Sequence, residues 1–367
     1  MLLVKKIVTI VYIARYIKGF NMKNSIKVLL ISLTLCFVFV FSACSQGVAT
    51  TLNGSYFLQN AGNVSIIGNI DEENVYSVSF KKAENSGAAG VGISLENAEG
   101  FNVYTTRLKN TTYNGADCYL LETELKTKIG YVLDGEPFGT FENYVKSKVY
   151  FLSVSNKLKP LYSETEANAN SPVTDKNGKY SVVNLNYKFT ITYSDNAAIV
   201  DFTKKSGDFG IPEGKREYKI SDGYYFDNTT MLFMPRAVKL TDSSSLSFSS
   251  IDAISGINRK MIMRSDANKP SENLVFSKDG TEKNSIQGEY FINKKKEFLS
   301  EDKKSQVIPC RVVNFNVSGT FSGSAIKCWY ADVSVEPARA RLIKMETIAP
   351  YSLGTFTYII NKTTVEG

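Results

Sequence analysis

The run Val183-Asn184-Leu185-Asn186-Tyr187-Lys188-Phe189-Thr190-Ile191-Thr192-Tyr193 decides the fold. Apolar residues stand at every odd position and polar ones fill the gaps. Successive side chains of a strand point to opposite faces, so this period of two is what a half-buried antiparallel strand requires. Helical spacing would scatter the same residues around an axis. The polar triplet Ser194-Asp195-Asn196 then turns the chain, and Ala197 to Thr203 is expected to pair back.

The same signal recurs on both sides. Val75 to Phe80, Val103 to Leu108, Cys118 to Leu125, Lys126 to Leu133 and Leu158 to Thr165 read as strands. In the segment around 145–151, Val145, Val149 and Phe151 alternate with Lys146, Lys148 and Tyr150. Towards the C-terminus, Val313, Phe315 and Val317 alternate with Asn314 and Asn316. Phe356, Tyr358 and Ile360 do the same with threonines. Glu166 to Gly178 reads as a polar loop, and Ser249 to Ile257 as a short helix or tight crossover. Many short strands with turns between them predict an all-β chain: a large curled antiparallel sheet, an open half-barrel or a sandwich, with few short helices. Residues 53–367 are expected to form a single large β domain, with two lobes joined near 166–180 as the variant.

The first 44 residues carry a different message. Lys23 and Lys27 precede the nearly unbroken apolar run Val28 to Phe41, and Ser42-Ala43-Cys44 follow. A basic start, an apolar centre and small residues before a cut are the parts of a secretory signal. The cysteine after them makes the stretch similar to the bacterial lipoprotein signal, the lipobox, with Phe41 where that family most often has Leu. The resemblance implies diacylglyceryl transfer to Cys44, cleavage before it, and anchoring at the extracytoplasmic face of a bacterial membrane. Two or more acyl chains would hold the protein firmly, since one chain binds only marginally. Residues 1–43 would be the signal, with Met22 as the expected start, and 44–52 a lipidated tether. The other reading of this stretch is an uncleaved anchor helix, for which the apolar run is short.

Removing that stretch changes the charge reading. The chain has 43 basic and 36 acidic residues, but residues 1–44 hold six of the basic ones and no acid. The remainder, with 37 and 36, is close to neutral and has no global field for nucleic acid. There is no histidine in the chain. That excludes Ser-His-Asp and Cys-His hydrolases, His-ligated zinc and His-based proton transfer. Of the five cysteines, Cys36 and Cys44 lie in the signal, leaving Cys118, Cys310 and Cys328. Cys310 and Cys328 flank an expected hairpin, so a disulfide between them stands beside the alternative of three buried thiols. No metal or other cofactor is expected.

Without histidine, carboxylates come first as candidate chemistry. Asp71-Glu72-Glu73, Glu122 with Glu124, and Glu164 with Glu166 are the visible groups. Glycosidases place two carboxyls across a bond, yet Glu122 and Glu124 share one strand face, and a wet face is the plain reading. Asp175-Lys176-Asn177-Gly178 is a fragment of a calcium loop and equally a turn. Tyr224-Tyr225-Phe226 and Trp329-Tyr330 could line a pocket or simply fill a sheet face, where aromatics are favoured.

A second resemblance rests on Ser147 to Ser163 with Leu158-Lys159-Pro160, on Ser249-Ser250-Ile251-Asp252, and on Cys328-Trp329-Tyr330-Ala331 followed by Gly354-Thr355-Phe356-Thr357-Tyr358. Over about residues 100–360 the chain resembles exported bacterial β proteins built like the lipoprotein carriers. The resemblance implies a curled sheet whose apolar concave face holds acyl chains. The expectation is a lipid-anchored binding or carrier protein for an apolar or amphipathic ligand, not an enzyme. A non-catalytic cell-envelope interaction protein and a His-free glycan hydrolase are the alternatives.

Overall fold

The structure is a computed structural model. It describes residues 48–366 except 54–56, 58–70, 85–89, 155–156, 175–178, 208–211, 221–222, 252–258, 278–285, 288–290, 293–295, 298–304, 318–325, 336–339 and 350–351. Cys44 and the calcium-loop fragment 175–178 therefore lie outside the described residues.

The strands begin with β1 (Val48–Ala49), β2 (Asp71–Lys82), β3 (Gly92–Leu95) and β4 (Val103–Tyr113). Four long ones follow: β5 (Ala116–Leu133), β6 (Glu136–Val154), β7 (Lys157–Thr174) and β8 (Tyr180–Tyr193). After β9 (Ala197–Ser206), β10 (Gly214–Lys219) and β11 (Tyr225–Asp227) comes a 3-10 helix at Thr230–Ala237. Next are β12 (Ser244–Ile251), β13 (Arg259–Ser265) and β14 (Ser271–Ser277), then the short β15 (Ile286–Gln287), β16 (Phe291–Ile292) and β17 (Lys296–Glu297). The chain closes with β18 (Ser305–Val317), β19 (Ile326–Ala331), β20 (Leu342–Ile348) and β21 (Gly354–Glu366).

All but β16 and β17 belong to one 19-stranded sheet. Its backbone of pairings is antiparallel. It runs from β10 through β9, β8, β7, β6, β5 and β4 to β2, then through β21, β20, β19, β18 and β13 to β12. Parallel pairings occur where β1 and β11 meet β12 and where β15 meets β14. The sheet curls until its two ends pack together. Phe189, Ile191, Val200 and Phe202 from β8 and β9 share a buried cluster with Tyr225 and Ile251 from β11 and β12. The Tyr193 hydroxyl donates to Asp227 Oδ2 at 2.6 Å across the same contact. This is the mainly-β, curled, open sheet expected from the alternation.

Local turn chemistry explains the long strands. Asn114 and Gly115 have φ of 51° and 79°, and Asp134 and Gly135 have 53° and 84°. Two consecutive left-handed residues match the right-handed strand twist, and Asn-Gly and Asp-Gly tolerate them best. Cys118–Leu125 and Lys126–Leu133, read as two strands, are therefore one. Glu166–Gly178, read as a loop, continues β7 to Thr174, paired with β8 in register. Ser249–Ile257, read as a short helix or tight crossover, begins as the end of β12, and its remainder lies outside the described residues; a 3-10 helix stands at Thr230–Ala237. Asp227 sets it up, since its Oδ1 accepts the Thr229 N–H at 2.8 Å and its carbonyl accepts the Thr230 hydroxyl at 3.0 Å.

That helix plugs the curl. Met231, Phe233 and Met234 are buried in the main apolar cluster with Phe248, Phe315 and Tyr330. Phe57 stands edge-on to Tyr119 and Phe151, with ring centroids 5.5 and 5.7 Å away.

A cluster of three charged side chains lies inside. Glu72, fully buried on β2, accepts Arg236 Nη1 at 3.0 Å and Nη2 at 2.6 Å. Arg341 Nη2 donates to it at 3.3 Å and Asn74 Nδ2 at 2.7 Å. Arg236 also lies over the Phe233 ring, 4.8 Å from its centroid. Burial alone would raise the Glu72 carboxyl, but the two guanidiniums outweigh it and hold it well below the ordinary range.

The cysteines depart from one expectation. Cys310 and Cys328 are not bonded to each other; both are free, buried thiols. In the β18–β19 register Cys310 faces Ala331 and Cys328 faces Val313. The offset of three residues is about 10 Å along the strand and places the two side chains on opposite sheet faces. A disulfide needs Cα atoms within about 7 Å.

Two outcomes follow. Glu72→Gln leaves two buried guanidiniums short of their anion and should cost about 3–5 kcal/mol in urea unfolding at pH 7. Because the folded Glu72 value is depressed, its contribution is present above the unfolded value of about 4.3 and fades as pH falls below it. The gap between the parent and Glu72→Gln should therefore narrow from pH 7 to pH 3. For the thiols, burial pushes both Cys310 and Cys328 up. An exposed-thiol reagent should label them only after denaturation, and oxidising and reducing gels should show the same mobility.

Candidate functional site

The four strands β4 to β7 pair in antiparallel succession, so their outward side chains fall into rows across the sheet. One row runs Glu73, Arg107, Glu122, Lys148, Glu164, each residue paired in register with the next. The next row on this face runs Thr105, Glu124, Lys146, Glu166, Lys188. Charge alternates at nearly every step. Neighbouring strands lie about 4.8 Å apart, close enough for cross-strand pairs to form.

They do form. Lys146 Nζ lies 2.9 Å from Glu124 Oε1, and Lys126 Nζ 3.3 Å from the same atom. Lys148 and Lys188 both reach Glu164, each at 3.3 Å, and Lys109 reaches Glu122 at 3.0 Å. Burial pushes the Glu124 carboxyl up, yet the hydrogen bonds from Lys146 and Lys126 hold it below its usual range. The same balance, with Lys148 and Lys188, lowers Glu164.

The rows line an open groove of about 360 Å³. A second space of about 360 Å³ adjoins it, sharing Lys146 and Glu166 and bounded by Phe101, Tyr144, Asn143 and Asn168. On the opposite side three half-buried tyrosines gather. Tyr113 lies 4.9 Å from Tyr150 and 5.7 Å from Tyr162 between ring centroids, the latter pair within 19° of parallel. The Tyr162 hydroxyl donates to Glu164 Oε2 at 3.2 Å. Burial, then the Glu164 carboxylate, push that phenol up to about 12.

Such a surface can hold a polar ligand by hydrogen bonds and ring contacts. Lysines press Glu124 and Glu164 toward the ionised form, the opposite of the raised carboxyl that a glycosidase acid needs.

The structure thus brings together carboxylates that are far apart in sequence. Glu73, Glu122, Glu124, Glu164 and Glu166 all face one groove. Glu72 turns the other way into the core. The aromatic candidates do not join them. Tyr225, Phe226, Trp329 and Tyr330 are buried. Trp329 Nε1 donates to Glu272 at 2.7 Å and lies beneath Lys344, 4.3 Å from its ring centroid. Among the described residues no group of three His, Cys, Asp or Glu side chains converges as a metal site. Nor is any helix there long and apolar enough to cross a membrane.

The lysine pair Lys146 and Lys148 and the three tyrosines escape a motif search. A signal for the pair exists nonetheless: Glu122-x-Glu124, Lys146-x-Lys148 and Glu164-x-Glu166 stand on three successive strands. Opposite charges at the same spacing on neighbouring strands predict lateral pairing.

No family model matches the chain, and no curated protein matches it. A beta-barrel-like protein from Brucella abortus, of a domain of unknown function (DUF1849), is similar in structure. Its TM-score is 0.41 at 7% sequence identity, with 81% of this chain and 98% of that chain covered.

Proposed function

We propose that this chain is a lipid-anchored, non-catalytic binding protein at the extracytoplasmic face of a bacterial membrane, and that its ligand lies in the charged groove over β4 to β7. The groove carries the reading: it is an open space of ligand size in which carboxylates and cationic side chains converge, with the tyrosine trio beside it through the Tyr162–Glu164 contact. Ligand sites are concave and orient their ligand with a few placed polar groups.

The chemistry of the groove narrows the ligand. In a carrier of acyl chains the interior of the curl would have to open, whereas Phe57, Phe151, Met231 and Phe233 pack into it. An amphipathic ligand would present its polar part to Lys146, Lys148 and Glu164. An envelope interaction partner would use the same groups. The lipid anchor follows from the Cys44 signal and would keep the groove close to the membrane or wall.

Both parts are open to test. Cys44→Ser should release the protein from membranes or leave it uncut; normal processing with unchanged membrane retention defeats the anchor. For the groove, Lys146→Glu with Lys148→Glu turns two alternating rows into acidic ones. Co-sedimentation of the full-length protein with isolated envelope fragments should fall at least about tenfold, while the urea midpoint shifts little, since exposed pairs contribute about 0.2–1 kcal/mol each. Undiminished sedimentation of the double variant defeats the groove reading.

A further inference from the structure

The geometry points to a saccharide chain as the ligand of the groove, a conclusion that rests on the groove being the binding surface. Four features carry it.

Aromatic rings stand at both ends of one continuous polar track. Tyr150, Lys148, Lys146 and Tyr144 are successive outward residues of β6. Tyr150 belongs to the tyrosine trio, and Tyr144 lines the adjoining space with Phe101. The six residue steps from Tyr144 to Tyr150 span about 20 Å, the length of a short oligosaccharide. Sugar rings present C–H faces that lie on aromatic rings, and tyrosine adds a hydroxyl at the edge.

Between these stations charges of both signs stand in ion pairs. Glu124 is matched by Lys146 and Lys126, and Glu164 by Lys148 and Lys188. A polyanion or polycation would have to break these pairs. A neutral hydroxylated or acetamido ligand can instead hydrogen-bond to both partners at once.

Amides extend the track. Asn143 and Asn168 line the second space. Asn170 Nδ2 donates to Asn143 Oδ1 at 2.9 Å, and Asn184 Nδ2 to Asn168 Oδ1 at 2.7 Å. Asn143 is buried and its Oδ1 already accepts the Asn170 N–H and Nδ2, so the amides open to a ligand's hydroxyl groups are those of Asn168, Asn170 and Asn184.

The fourth feature separates a sugar from a peptide. An extended peptide binds a sheet by adding to a free edge. Here the residues Tyr144 to Phe151 of β6 are paired on one side with β5 and on the other with β7. No backbone groups are left in the groove floor for a peptide main chain, so the contacts must be made by side chains.

The test is isothermal titration of the full-length protein, in a detergent without a sugar headgroup, with tetra- to hexasaccharides of glucose and of N-acetylglucosamine. At least one series should bind, more tightly as the chain lengthens. Tyr150→Ala and Tyr144→Ala should each weaken it about tenfold, corresponding to roughly 1.4 kcal/mol, while Tyr150→Phe retains binding. Failure of every oligosaccharide to bind overturns the inference, as does binding indifferent to Tyr150→Ala and Tyr144→Ala. A random-peptide library in the same assay separates the two claims. Peptide binding lost in Lys146→Glu, without sugar binding, overturns the saccharide and leaves the groove standing. If neither probe binds and envelope co-sedimentation ignores the groove substitutions, both fall.

Discussion

A carboxylate held between two guanidiniums ties the curled sheet together. Glu72 sits on β2, the strand that joins the long meander β4–β8 to the C-terminal strands through its pairings with β4 and β21. Arg236 comes from the helix that fills the curl, and Arg341 immediately precedes β20. Burying three charges is costly. It is tolerated because Glu72 takes donors from Arg236, Arg341 and Asn74, which fixes the helix against the seam of the sheet. Around that point the apolar core assembles: the Tyr76 hydroxyl donates to the Leu342 carbonyl at 2.9 Å and Tyr330 to the Leu232 carbonyl at 2.8 Å.

The same strand links the interior to the groove. Glu72 and Glu73 are neighbours in the chain and point to opposite faces. One anchors the core and the other lines the groove with Arg107. Rigid pairing beneath the groove positions its charges without a large cost in side-chain order, because the ammonium groups are already held by their cross-strand carboxylates. Under the proposed binding role, a ligand would meet a surface arranged before it arrives, which lowers the entropy lost on binding.

Much of this was legible in the chain. The alternation at Val183–Tyr193 stands as β8, and the C-terminal alternations stand as β18 and β21. The longest strands were cut short because Asn114-Gly115 and Asp134-Gly135 hold their hairpin turns in two residues, leaving no polar loop to see. Glu166–Gly178 reads as a loop because Glu, Asn and Ser are common in turns, yet the pairing of β7 with β8 satisfies its backbone and overrides that preference. Glu72 is hidden among three consecutive acids; only extending the period of Tyr76 and Val78 backwards places it inside.

Sequence by itself determined the class of fold and the outward face shared by Glu122 and Glu124, because period-two patterns are local. Register was decided only in three dimensions. The β5–β6 pairing slips by one residue near Tyr131 and Val132, and the β6–β7 pairing slips again near Tyr150 and Phe151. Without these bulges Glu122 would meet Ser147, and Lys148 would meet Ser163, in each case a residue of the opposite face. A one-residue slip exchanges the two faces of a strand pair, so the lysine and glutamate rows oppose each other only after the sheet has curled around its core.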